Sequence, residues 1–241
     1  MFQPPISAAP AIMLTAPRRG RNNFLARIQS LRKGWITRRL RGVNCMTKAA
    51  FDILLSAVKA LHDARPVLQE FAPWPSDLTW AALPAQDFPV SQLIQAWACA
   101  DSSPEAAVHS ALQAAAPSAH WLRTYTEDEV GAQFLANYGY IELYGPGGQY
   151  HSQQGRGFIA YWGAGLEYDW HVHVAEELYY VLSGAGLFFS EGEDAALLGR
   201  GDTRQHATMQ PHALHMTAGP ILTYVPWRGA GIDGLPQMGR A

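Results

Sequence analysis

The amino-acid sequence predicts a mainly β fold, in which a small antiparallel barrel or sandwich follows a layer of helices. Between residues 46 and 136, apolar side chains recur at spacings of three and four, which is the period of an amphipathic helix. Beyond residue 137 the chain changes to short runs rich in Tyr, Ile, Phe and Val that are separated by glycine, a pattern typical of strands joined by turns. Because no helical stretches separate these runs, an antiparallel sheet is favoured over a parallel one.

Local signals divide residues 46–136 into four helices. Thr47 is a suitable N-cap for the first helix, whose apolar residues share one face. Those residues are Phe51, Leu54, Leu55, Val58 and Leu61. The others are predicted over 91–98, over 105–115 after the Ser103-Pro104 cap, and from the Thr126/Glu129 capping box to about Ala136.

Seven strands are predicted in the second part of the chain, each bounded by turn residues. They cover residues 138–144, 157–162, 171–182, 187–190, 203–208, 212–217 and 221–227. We therefore expect a helical region over 46–136 and a β-barrel with the functional site over 137–241.

The first 45 residues differ from the rest of the chain in charge. Residues 1–50 hold ten of the eighteen basic residues and no Asp or Glu. We interpret residues 1–45 as a disordered basic extension, or as upstream sequence that precedes a natural start at Met46.

The remaining 191 residues carry eight basic against twenty acidic side chains, which is the wrong balance for binding nucleic acid. The sequence has no run of about 18 to 20 uncharged apolar residues, so no membrane-spanning helix is predicted. Two cysteines, Cys45 and Cys99, exclude a disulfide framework and a zinc ribbon. From these absences we expect a cytoplasmic protein.

Residues 165–184 hold the strongest functional signal. If they form a strand, the side chains of His171, His173, Glu177 and Tyr179 share one face. Two imidazoles, a carboxylate and a phenol inside a barrel need polar partners. A divalent cation is the simplest partner that all of them have in common.

The string G-x5-H-x-H-x3-E-x6-G from Gly165 to Gly184 resembles the first motif of the cupin superfamily. The resemblance implies a double-stranded β-helix, or jelly-roll, barrel that binds one divalent metal through His171, His173, Glu177 and a third His. That His belongs to a second motif, P-x-G-x-x-H, and the equivalent stretch ends at His212 without the Pro and Gly. His212 fits the spacing, and His215 remains the alternative. Zn, Mn, Fe, Co and Ni are all compatible with such ligands.

A narrower resemblance covers roughly residues 121–229. The elements NYGYIELYG at 137–145, Y-x2-H-x-H-x-A-x-E-x-Y at 168–179, and W-R-G at 227–229 are similar to those of the cupin-type dimethylsulfoniopropionate (DMSP) lyases. This family resemblance implies a carbon–sulfur lyase in which Tyr179 removes the proton α to the carboxylate, dimethyl sulfide leaves and acrylate remains. Tyr168 would orient the substrate or assist the base.

A small sulfonium carboxylate predicts an aromatic wall, because a cation is attracted to the face of Trp or Tyr. The substrate-binding candidates are Trp227, Tyr224 and Trp162. Two other functions stay open from the residues alone: an Fe(II) cupin dioxygenase acting on a small organic acid or thiol, and a non-catalytic metal-binding sensor. Since cupins are often dimers, we also expect a homodimer.

Overall fold

The structure is a computed structural model that describes residues 47–99 and 101–239. The predicted basic region 1–45 lies outside these residues. Helices dominate the described chain before residue 137 and strands dominate after it, so the predicted mainly β class with a preceding helical layer is confirmed. No helix among the described residues is long and apolar enough to span a membrane.

The starts predicted at Ser103-Pro104 and at the Thr126 capping box are confirmed. The helix predicted from Ser91 begins two residues earlier, at Pro89, and Thr47, the predicted N-cap of the first helix, is already helical. The described part of α1 covers residues 47–64. The others are α2 (Pro66–Phe71), α3 (Pro89–Ala96), α4 (Pro104–Ala115) and α5 (Glu127–Ala136). Proline occupies the first turn of α2, α3 and α4, where its missing N–H costs no hydrogen bond. The Ser103 hydroxyl accepts a hydrogen bond from the N–H of Ala106. The sequence analysis missed α2.

Eleven strands are present in the described residues. They are β1 (Thr79–Trp80), β2 (Tyr138–Gly145), β3 (Tyr150–His151), β4 (Arg156–Trp162), β5 (Glu167–Val172), β6 (Glu176–Ser190), β7 (Glu193–Gly199), β8 (Thr203–His206), β9 (His212–His215), β10 (Ile221–Arg228) and β11 (Gln237–Met238).

Two of the predicted strands were wrong in their boundaries. The predicted strand 171–182 is broken at residues 173–175, and the predicted strand 187–190 is the end of the long strand β6. The short strands β1, β3 and β11 and the exposed strand β7 were not predicted.

Strand β6 joins two sheets. Its first half pairs with β10 and β8, and its second half pairs with β9 and β7. The first sheet continues from β10 through β4, β2 and β3 to β1, and the second continues from β9 through β5 to β11. At the transition, Gly184 has φ +76, and a Cβ there would lie 1.9 Å from the carbonyl oxygen of Pro220. Only glycine fits this approach of the two strands.

Alternate residues of the first sheet face two different cores. One face packs against the helices, for example through Tyr180 and Leu182. The other face lines the barrel interior, for example through Tyr179 and Val181. The barrel interior is therefore a separate compartment, and the polar cluster described below lies in it.

A half-buried ion pair links the helices to the barrel. The Glu105 carboxylate accepts hydrogen bonds from the Arg65 guanidinium and from the Tyr180 hydroxyl, both at 2.6 Å, and Arg65 Nε also donates to the Tyr180 oxygen at 2.7 Å. Glu105→Ala would leave the buried phenol without its acceptor, so we expect it to lower the free energy of unfolding by about 1–2 kcal/mol. Urea denaturation measures this. Asp63→Ala, which removes a carboxylate from an exposed pair with Lys59, should change stability by less than about 0.5 kcal/mol. Equal effects of the two substitutions would contradict the role given to Glu105.

Candidate functional site

The barrel interior opens to solvent through a pocket. Aromatic residues form most of its wall, and imidazoles with one carboxylate form its polar end. The lining residues are Thr124, Tyr138, Tyr140, Arg156, Phe158, Ala160, Trp162, Tyr168, His171, His173, Glu177, Tyr179, Val225, Trp227 and the segment 234–236.

Three buried histidines of the polar end share one orientation. The Nδ1 atoms of His171, His173 and His212 lie 2.9, 2.8 and 2.8 Å from the backbone carbonyls of Asp169, Ala175 and Gln210. A carbonyl only accepts, so each Nδ1 carries a proton and each Nε2 points into the cluster. The three imidazoles offer nitrogen atoms within 4.8 Å of one another. This is the ring orientation that metal-binding histidines use.

Glu177 connects two of these histidines. One carboxylate oxygen lies 2.9 Å from His173 Nε2, and the other lies 3.5 Å from His212 Nε2. Burial by itself would raise the pKa of Glu177, but His173 and His212 outweigh it and hold the pKa well below its ordinary value. The carboxylate is therefore ionised although its side chain is buried.

Not all polar atoms of the cluster are satisfied. Within the described part of the chain, Glu177 Oε2, His206 Nε2 and His212 Nε2 are buried without a hydrogen-bond partner. Burial lowers the pKa of His171 and of His206 well below the ordinary value, so both rings are neutral. For His173, burial alone would lower the pKa, but the charge and hydrogen bonding of Glu177 outweigh it and raise the pKa. Imidazole nitrogens, an ionised carboxylate and unsatisfied buried atoms are the donor set that a divalent cation requires. The residues present thus fit a metal ion.

His215, the alternative third ligand, lies elsewhere. It is half-buried and its ring packs 4.7 Å from Phe189, outside both groups of candidate ligands. His212, three residues earlier on β9, belongs to both groups.

The two predicted catalytic tyrosines line the same pocket. Tyr179 is buried, with its ring 6.4 Å from His212. Burial raises the pKa of Tyr179 well above 10, and the charge of Glu177 adds to the effect. Tyr168 stacks on His171 with ring centroids 4.0 Å apart, and its hydroxyl is 2.8 Å from that of Tyr125.

Two of the three predicted substrate-binding aromatics also line the pocket. Trp227 stacks on His173 at 4.4 Å, and its indole N–H donates to Glu177 at 3.3 Å. Trp162 stacks on Tyr168 at 5.7 Å.

Tyr224 is a correction. It lies on the opposite face of β10 from Val225 and Trp227, and its hydroxyl is 2.5 Å from that of Tyr144 in the core beneath the helices. We therefore withdraw it as a substrate-binding residue. Side chains alternate along a strand, so residues 224 and 227, three positions apart, point to opposite faces.

The sequence analysis did not select several residues that the fold brings to the site. Tyr138, Tyr140 and Arg156 line the pocket. Arg156 forms a buried ion pair with Glu142 at 2.7 Å and donates to the carbonyls of Ile232 and Gly234. Alternation along the predicted strand 138–144 places Tyr138 and Tyr140 on the same face, and this pattern could have identified both as pocket residues.

The turn that carries His212 contains a strained residue. Met209 has φ +58 and donates its N–H to the carbonyl of His173 at 2.9 Å, so it ties the two histidine segments together. It occupies the place of the Gly in the second cupin motif. Since a side chain in left-handed backbone costs about 1–2 kcal/mol, we expect Met209→Gly to raise the free energy of unfolding by about 0.5–1 kcal/mol after the entropy of glycine is subtracted.

Chemical denaturation measures the effect of Met209→Gly. Thr208→Gly is the matched control, because Thr208 is exposed and its φ is not positive. The control should destabilise the protein by about 0.5–1 kcal/mol. If Met209→Gly also destabilised the protein, the backbone at Met209 would not be strained.

The fold and the site together define a class: a cupin-type barrel with a buried His/Glu cluster in an aromatic pocket. Comparisons with known proteins narrow the class. The family model described as DMSP (dimethylsulfoniopropionate) lyase matches residues 52–223. The chain is 34% identical over 183 residues to dimethylsulfoniopropionate lyase DddQ of Ruegeria pomeroyi. The aligned region covers 76% of this chain and 91% of that protein. The chain belongs to the DMSP lyase family.

Solved structures agree with this assignment. A chain from the crystal structures of the DMSP lyases RdDddP and RnDddQII superposes with a TM-score of 0.77 at 42% identity, over 80% of this chain and 99% of that chain. The crystal structure of DddQ from Ruegeria pomeroyi gives a TM-score of 0.74 at 33% identity, over 79% and 96% of the two chains. The predicted family and fold are confirmed, and neither the dioxygenase nor the sensor alternative is favoured.

Proposed function

We propose that this protein is a metal-dependent lyase that cleaves dimethylsulfoniopropionate to dimethyl sulfide and acrylate by β-elimination. The observation that carries the proposal is the meeting of a His/Glu cluster, a buried phenol and an aromatic wall in one pocket of a DMSP lyase family member. In this reaction a base takes the α proton, the α carbon–hydrogen electron pair forms the double bond, and the β carbon–sulfur pair leaves with the sulfide.

In this proposal His171, His173, Glu177 and His212 hold one divalent ion, which we place among Zn, Mn, Fe, Co and Ni. Support comes from the three inward Nε2 atoms and the ionised carboxylate. When bound, the ion supplies positive charge that stabilises the anionic forms of a carboxylate and a nearby phenol.

Tyr179 is the base in this scheme. Burial raises the pKa of Tyr179, so the phenol stays protonated when no metal ion is bound. Its activity as a base therefore depends on a bound metal ion. Once anionic, the Tyr179 oxygen takes the α proton and later returns it to solvent. Tyr168, fixed between His171 and Trp162, holds the substrate against the base.

The aromatic wall binds the sulfonium end. Trp162, Trp227, Tyr138 and Tyr140 line the pocket, and a cation over the face of such a ring gains about 0.5–2 kcal/mol. The wall also excludes water from the developing carbanion.

The decisive experiment measures headspace dimethyl sulfide and dissolved acrylate from purified, zinc- or manganese-loaded protein given dimethylsulfoniopropionate, in air and without oxygen. Equal release of both products under the two atmospheres, in a one-to-one ratio, is expected. Turnover that requires oxygen would favour the dioxygenase alternative instead. Absence of both products from fully metal-loaded protein would overturn the proposed substrate.

A further inference from the structure

His206 belongs to neither of the two cupin motifs, yet it lies against the candidate metal centre. It is the last residue of β8 and pairs across the sheet with Glu177. Its side chain is buried, and its ring stacks on that of His212 with centroids 3.9 Å apart and planes inclined by 12°. The scheme proposed above gives it no task.

The Nδ1 edge of the His206 ring is hydrogen-bonded to the end of β6. Its Nδ1 lies 3.2 Å from the Ser190 hydroxyl, which accepts a hydrogen bond from Arg204 Nε at 2.9 Å. If His206 Nδ1 carries the proton and donates it to the Ser190 hydroxyl, the Nε2 atom presents its lone pair to the cluster. His206 Nε2 is buried and has no hydrogen-bond partner among the described residues.

The cluster contains two overlapping groups of possible ligands. His171, His173 and His212 form one, and Glu177, His206 and His212 form the other. In each group the ligand atoms lie within 4.8 Å of one another, and His212 is common to both. A buried imidazole nitrogen without a partner, beside a carboxylate oxygen and an imidazole nitrogen that also lack partners, is costly unless something binds all three.

We propose that His206 is an additional metal-binding side chain, so that this centre is served by four imidazoles and one carboxylate. The inference rests on the metal-binding part of the proposed function. It extends the centre toward Tyr179, whose ring is 5.7 Å from that of His206. The second group thus adds an imidazole close to the ring of Tyr179, the proposed base.

Histidine imidazole resonances test this on the full chain. Protein labelled with ¹⁵N-histidine is titrated with Zn²⁺, and the number of Nε2 resonances that move to zinc-bound positions is counted. Four are expected in the wild type, three in His206→Gln, and four in the matched control His215→Gln. Competition with a chelator should show zinc binding at least about tenfold weaker in His206→Gln and unchanged in His215→Gln.

Each result decides between the possibilities. Three zinc-bound imidazoles in the wild type, with the His206 signals unmoved, would overturn the inference while leaving the metal centre in place. No zinc-bound imidazole at all would overturn the metal centre itself. Because the wild-type count needs no variant, the test survives a His206→Gln protein that fails to fold.

Discussion

Tyr179→Phe is expected to reduce dimethyl sulfide release by at least about 10²-fold, the usual contribution of a positioned acid or base. The substitution removes one oxygen atom and keeps the ring, which packs between Trp162 and Phe188. Folding and zinc content should therefore stay at wild-type values. The loss should appear in kcat, because the missing group acts on the proton that is transferred and contributes little to ground-state binding.

Tyr161→Phe is the matched control for this prediction. Tyr161 is also a buried phenol of the first sheet, but it faces the helices, with its ring 5.9 Å from Trp97. It should retain wild-type turnover. If Tyr179→Phe kept more than about a tenth of the activity, another group would have to be the base.

Sequence reasoning located the polar cluster through a strand that is not continuous. Alternation along 171–182 placed His171, His173 and Glu177 on one face, and the structure does bring them together. It does so across a break at residues 173–175, where β5 ends and β6 begins. The grouping survived because the break is only three residues long, and His173 Nε2 still lies 2.9 Å from a Glu177 carboxylate oxygen. His212 joins them because β9 pairs with β5 at His171, a tertiary contact that no local pattern contains.

Other features depended on pairings between distant segments. The approach of Pro220 to Gly184 lets β6 pass from one sheet to the other, so a Ser-Gly pair that resembles a turn lies inside a strand. His206 enters the site because β8 pairs with β6 beside Glu177. Neither pairing leaves a periodic signal in the sequence. Tyr224, in contrast, was misplaced although strand parity was available.

Removing bound metal is expected to have the second large effect. Chelator treatment should lower dimethyl sulfide release by at least about 10²-fold, since the proposed base is then a buried phenol with a raised pKa. It should also lower the melting temperature by roughly 10 °C, because an ion at about a thousand times its Kd stabilises the folded state by about 4 kcal/mol. Differential scanning calorimetry before and after restoring zinc measures the second effect.

A pair of variants on β9 separates this effect from general damage by the chelator. His212→Gln removes a residue common to both candidate ligand groups, so its melting temperature should respond little to the chelator. His215→Gln changes the same side chain three residues away, beside Phe189, and should respond as the wild type does. Full turnover by protein that elemental analysis finds free of metal would contradict the metal-dependent scheme, whereas equal responses of the two variants would remove His212 from the centre. The comparison tests whether the buried imidazoles and carboxylate are arranged for an ion or only for the stability of the barrel.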